Sequence, residues 1–234
     1  MECRCFGSNN PFNVMERLMR KITAAVVVCL FLSTAALAEE LPRVLIIGDS
    51  ISNGYTPHVK AMLDGKAIVT HNRGNAGDTW RGMANIDSYL AAGEYDVIHF
   101  NWGLWDLCWR NPKSKVQGNR DKVDGTLTST LEQYEANLDK LTARLKKSGA
   151  KLIWASTTVV PEGEAGRILG DDLKYNAVAA RVMKKYDVPT NDLNAVSRTF
   201  DAELFVGPGN VHFTKEGSKK LAEQTVEEIL EVLK

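Results

Sequence analysis

The chain has 234 residues, with 29 Lys and Arg against 29 Asp and Glu and a formal net charge of zero. Charged residues make up 25% and apolar residues 44%, ordinary globular proportions that exclude a disordered chain and leave no basic excess for nucleic acid. The length suits one compact domain with a short appendage.

The appendage comes first. Arg17, Arg20 and Lys21 precede an apolar run at 22–32, and Ala36-Leu37-Ala38 stands just before Glu39. These are the charged, apolar and cleavage regions of a secretory signal peptide. The run is shorter than the roughly 20 residues a membrane-spanning helix needs. Residues 1–38 are therefore expected to be removed near Ala38. That leaves a mature domain at 39–234, secreted or periplasmic, with no membrane association. Cys3, Cys5 and Cys29 leave with the signal, so Cys108 has no disulfide partner. A domain of that size buries enough apolar surface without one.

Along the mature chain, residues 43–50 (RVLIIGDS), 67–74 (AIVTHNRG), 96–103 (DVIHFNWG), 151–158 (KLIWASTT) and 188–193 (VPTNDL) read as short, nearly continuous apolar runs. Such runs suit strands of a parallel sheet covered on both faces. Between and after them, Leu131, Tyr134, Leu138, Leu141 and Leu145 step by three and four, as do Val178, Val182 and Tyr186, and then Leu221, Thr225, Ile229 and Leu233. Each set lays one apolar stripe on a helix. Strands alternating with helices predict βαβ units in a three-layer α/β sandwich. Residues 110–130 read as one irregular, polar stretch.

In such a sheet ligands bind beyond the carboxyl ends of the strands. Ser50 sits where the first strand stops. It is either a helix N-cap, which serine fills well, or an exposed nucleophile beside free helix N–H groups; position alone leaves both open. Among the histidines, His99 falls mid-strand and is expected to be packed, His58 and His71 have no evident company, and His212 lies in a polar loop before the last helix. No His/Cys spacing suits a metal, and no Gly-x-Gly-x-x-Gly or P-loop follows the first strand, so no cofactor is expected. Cys108, with no base near it in sequence, reads as a small buried hydrophobe.

Four blocks in order, GDSIS at 48–52, RGNAGDT at 73–79, HFNWGLWD at 99–106 and GNVHFTKEG at 209–217, resemble those of the SGNH, or GDSL-type, serine hydrolases. The resemblance spans residues 43–233. It implies a flavodoxin-like five-stranded parallel sheet flanked by helices and a carboxylic ester hydrolase working through an acyl-enzyme. It further implies Ser50 as nucleophile, His212 as base, and an oxyanion hole of Ser50 N–H, Gly77 N–H and an asparagine of the third block. Two positions depart from the pattern. Trp105 stands where the third-block asparagine belongs, so the role passes to Asn101, as in a branch with an Asn-x-Gly-Leu-x-Asp third block. Gly209 stands where the acid three residues before His212 belongs. Another acceptor orients His212, or a Ser-His dyad works without one, or catalysis is lost.

Trp105 and Trp109 follow a strand end and are expected to wall an acyl or sugar subsite, the alternative being core packing. The expected substrate is a small-molecule or carbohydrate ester, acetyl groups on polysaccharide first. The alternatives are a lysophospholipase or thioesterase, or a catalytically decayed carbohydrate-binding protein on the same fold.

Overall fold

A computed structural model describes residues 1–2 and 40–234, so the signal segment read at 1–38 lies, but for its first two positions, outside the described residues. In chain order the unit from Leu41 to Lys234 contains β1 (Arg43–Ile47), α1 (Ser50–Met62), β2 (Ile68–His71), α2 (Thr79–Leu90), β3 (Val97–Phe100), β4 (Trp109–Arg110) and β5 (Thr126–Leu127). There follow α3 (Leu131–Lys146), β6 (Lys151–Ala155), α4 (Asp171–Tyr186), β7 (Thr190–Asn191), α5 (Leu193–Arg198) and α6 (Lys215–Leu233).

Five strands form one parallel sheet in the order β2-β1-β3-β6-β7, the expected α/β architecture. Val44, Leu45, Ile46, Ile47, Val97, Ile98, Phe100, Ile153 and Trp154 are buried, as strands covered on both faces require. His99 is buried among them. It accepts from Asn191 Nδ2 at 3.0 Å, and burial pushes its pKa down to about 3, so it stays neutral.

The strands stop earlier than the apolar runs suggest. The polar tails GD, RG and NWG belong to the turns that follow, and Ser50 opens α1, which puts these side chains beyond the sheet's carboxyl edge. Helices α1 and α2 are additions to the periodicity reading. In α1, Gly54 and Pro57 interrupt a stripe of Ile51, Tyr55 and Val59, and in α2 the buried face includes Thr79 and Gly82. Residues 110–130 also hold more order than polarity suggested, since β4 and β5 pair as an antiparallel ribbon. Strands of two residues are too short to show a period.

The chain leaves β1 for β2 on one side and later crosses to β3 on the other. The β1–β3 seam is thus a topological switch point, where a crevice opens. Ile47 pairs with Phe100 there, bringing the turn after β1 beside the turn after β3.

Candidate active site

Helix α1 begins at Ser50, and Asp49 is its N-cap, with Asp49 Oδ1 accepting from Ile51 N at 2.9 Å. The capping role thus falls to Asp49, leaving the Ser50 hydroxyl uncommitted to the helix end. As the first helical residue, Ser50 also has an N–H with no intrahelical acceptor. Gly48 makes the turn tight, since a Cβ there would meet Ser52 Oγ at 2.6 Å.

His212 reaches this turn from the loop before α6, its Nε2 2.8 Å from Ser50 Oγ. On the other side of the ring, Nδ1 lies 2.8 Å from Asn210 Oδ1. The same oxygen accepts from the His212 backbone N at 3.0 Å, which fixes the amide's orientation. Nδ1 is therefore the protonated nitrogen, and Nε2 is free to accept from Ser50. The acceptor behind the ring is thus a side-chain amide two residues upstream, rather than a carboxylate three upstream. Gly209 shows why: its φ is +64°, and a Cβ there would lie 2.6 Å from Gly163 O. No aspartate fits at that position. Burial lowers the His212 pKa, and the charges of Arg167 and Arg120 lower it further.

The two expected oxyanion donors beyond Ser50 are engaged elsewhere. Gly77 N donates to Asn75 Oδ1 at 2.8 Å. Asn101 Nδ2 donates to Ala155 O at 2.7 Å, tying the end of β3 to the end of β6, and Asn101 does not line the cavity that Ser50 and His212 share. Asn75 does line it. The Gly77 bond turns the Asn75 carbonyl away and leaves Nδ2 without a protein acceptor among the described residues. Asn75 stands inside the second block, two residues before Gly77, as an amide in a Gly-rich turn.

The cavity has a volume of about 380 Å³, and its lining includes Asp49, Ser50, Asn75, Leu104, Trp105, His212 and three arginines, Arg110, Arg120 and Arg167. Trp105 is on the wall, with the Arg110 guanidinium 4.5 Å and that of Arg81 5.9 Å from its ring centroid. Trp109 is not on the wall; it lies in β4, its buried Nε1 without a partner among the described residues. Asp106, the last residue of the third block, is fully buried. It accepts from Thr79 N, Thr79 Oγ1 and Ser129 Oγ, clamping the second block to the third. Burial outweighs those bonds and pushes its pKa up to about 7.

A second serine–histidine contact, Ser52 Oγ to His71 Nε2 at 2.7 Å, gives His71 a partner that the sequence did not reveal. Ser52 is buried and also donates to Asp49 O, so it offers no accessible nucleophile. A wider groove of about 760 Å³ opens at the β2 edge among Arg43, Asn72, Arg81 and Tyr95, and neither Ser50 nor His212 lines it. Cys108 is buried, as expected.

No family model matches the sequence. No curated protein matches it either. Solved structures do match. An acetyl xylan esterase, AlAXEase, superposes with a TM-score of 0.61 at 15% identity, over 80% of this chain and 99% of its own. A lipase/acylhydrolase from Enterococcus faecalis gives 0.65 at 18%, over 81% and 95%. An acetylxylan esterase from Geobacillus stearothermophilus gives 0.62 at 19%, over 80% and 94%. At these identities the likeness is one of fold.

Proposed function

We propose that the chain is a serine esterase of the SGNH/GDSL type that hydrolyses small acyl esters, acetyl esters of carbohydrate foremost. The observation that carries the reading is the Ser50–His212–Asn210 relay at the carboxyl edge of the sheet. The same fold in two acetyl xylan esterases and a lipase/acylhydrolase supports it.

In this mechanism His212 Nε2 takes the Ser50 proton as Oγ attacks the ester carbonyl, and then passes it to the departing alkoxide. Water cleaves the resulting acyl-enzyme with His212 again as base. Asn210 Oδ1 accepts a hydrogen bond from Nδ1–H throughout and keeps the ring in the useful tautomer. As an uncharged group it stabilises the transient imidazolium less than a carboxylate does. The oxyanion is held by Ser50 N–H and Asn75 Nδ2, with Asn101 as a strand tie. Export through the segment 1–38 belongs to the same reading, which places the enzyme in a secreted or periplasmic setting.

The test is p-nitrophenyl acetate hydrolysis by the purified mature chain and its Ser50→Ala variant, with fluorophosphonate labelling of both. Hydrolysis and labelling by the wild type, both absent from a folded Ser50→Ala, are expected. A folded Ser50→Ala that retains the wild-type rate overturns the nucleophile assignment.

A further inference from the structure

The wall facing Ser50 and His212 has a charge imbalance that acyl transfer does not explain. Glu164, on the loop between β6 and α4, is buried, and its Oε1 accepts from both Arg120 Nη1 at 2.6 Å and Arg167 Nη1 at 2.9 Å. Its Oε2 is taken by Gly166 N at 2.7 Å. One carboxylate is thus shared by two guanidinium groups. The third, Arg110, has no carboxylate partner among the described residues; it donates to Gly118 O and lies over Trp105. Asp49 is the one acid lining the cavity among the described residues, and burial raises its pKa. The cavity therefore carries a surplus of one positive charge even with Asp49 ionised.

Two features direct that surplus toward a ligand. Arg167 is only 5% exposed, yet it lines the cavity. Its Nε donates to Leu104 O at 2.7 Å and its Nη1 to Glu164, leaving Nη2 without an acceptor among the described residues. A desolvated guanidinium with a free N–H edge on a cavity favours an anion. Trp105 is no bare platform for a neutral sugar ring either, because Arg110 lies against it.

We infer that the ester cleaved here carries an anionic group, a carboxylate in the first instance, held by Arg110, Arg120 and Arg167 beside the scissile bond. The inference rests on the esterase reading for its reaction, though not for its binding. An acetylated uronate carries such a charge in the alcohol part and a dicarboxylic half-ester carries it in the acyl part; the shared chemistry is a carboxylate near the carbonyl.

Two matched pairs test it. In the alcohol arm, 3-acetoxybenzoate is compared with its methyl ester; in the acyl arm, mono-p-nitrophenyl succinate with p-nitrophenyl butyrate. Each kcat/KM is divided by the compound's alkaline hydrolysis rate to remove intrinsic reactivity. A charge-assisted contact predicts a preference for the anionic member of about tenfold to a hundredfold in one arm. The arm identifies the source. The preference should shrink in 1 M salt and collapse in Arg110→Gln and in Arg120→Gln, each shown folded by its thermal melt. Equal rates within both pairs overturn the inference and leave the esterase reading standing. If the wild type cleaves nothing, calorimetry of glucuronate against glucose decides: glucuronate binding that Arg110→Gln abolishes keeps the anion site, and no binding removes it.

Discussion

Replacing Asn210 with aspartate restores a carboxylate behind His212 with almost no change of shape. The present contact is 2.8 Å from Nδ1 to Oδ1. A full negative charge about 4 Å from the ring's positive charge gives roughly 4 kcal/mol at an effective dielectric near 20. Solvent screening at the half-buried ring reduces that to a rise in His212 pKa of about 1–2 units. Each unit is about 1.4 kcal/mol, so kcat at pH 9 should rise about tenfold to a hundredfold. The gain stays well below the roughly 10⁴ that an aspartate supplies in the chymotrypsin-like template, because Asn210 already holds the useful tautomer. The acid limb should move up by the same 1–2 units, since the base must be neutral to act. Below both limbs the higher kcat and the smaller neutral fraction offset each other, and the two rates converge. Release of p-nitrophenolate from the acetate ester, followed by absorbance from pH 5 to 9, reads all three quantities. A limb that stays in place, or a kcat that falls in a folded protein, would refute the relay as described.

Asn75→Ala should lower kcat by about 10²–10³ with little change in KM, whereas Asn101→Ala should keep the rate of the folded fraction and lose about 1–2 kcal/mol in a urea melt with its bond to Ala155 O. In the wild type, kcat/KM should rise with pH through a midpoint below the ordinary imidazole value of 6.5, since burial and then Arg167 and Arg120 disfavour the protonated ring; Arg120→Gln should move that midpoint up. Glu164→Gln leaves two guanidinium groups facing each other without their shared carboxylate and should cost about 3–5 kcal/mol by the same melt.

The sheet was legible because its strands are buried on both faces, and burial on both faces writes itself as unbroken runs such as VLII and VIHF. Ser50 was legible as a candidate because it stands where an apolar run gives way to a polar turn, and His212 because it lies in a polar loop before the last helix. The bonds of the asparagine amides near the site were not, because an amide's partners depend on where it points. Asn101 and Asn75 both follow strands, and only the bonds to Ala155 O and from Gly77 N tell them apart. The arginine cluster was still less visible. Arg110 and Arg120 meet through an antiparallel bridge, Arg167 lies more than forty residues further on, and buried Glu164 ties it to Arg120, so no motif joins the three. Trp109, expected on the wall, follows the same turn as Trp105 but is drawn into a ribbon too short to show in the pattern.

The close approach of Gly209 to Gly163 also decides which histories and which designs are open to this loop. An acid at 209 needs a left-handed aspartate and a displaced carbonyl at 163, two changes that are each harmful until the other is made. An acid at 210 needs one substitution of nearly equal volume. In sequence space the first route lies behind a barrier and the second is a single step downhill in shape, so laboratory selection for faster turnover should reach 210 and leave 209 untouched.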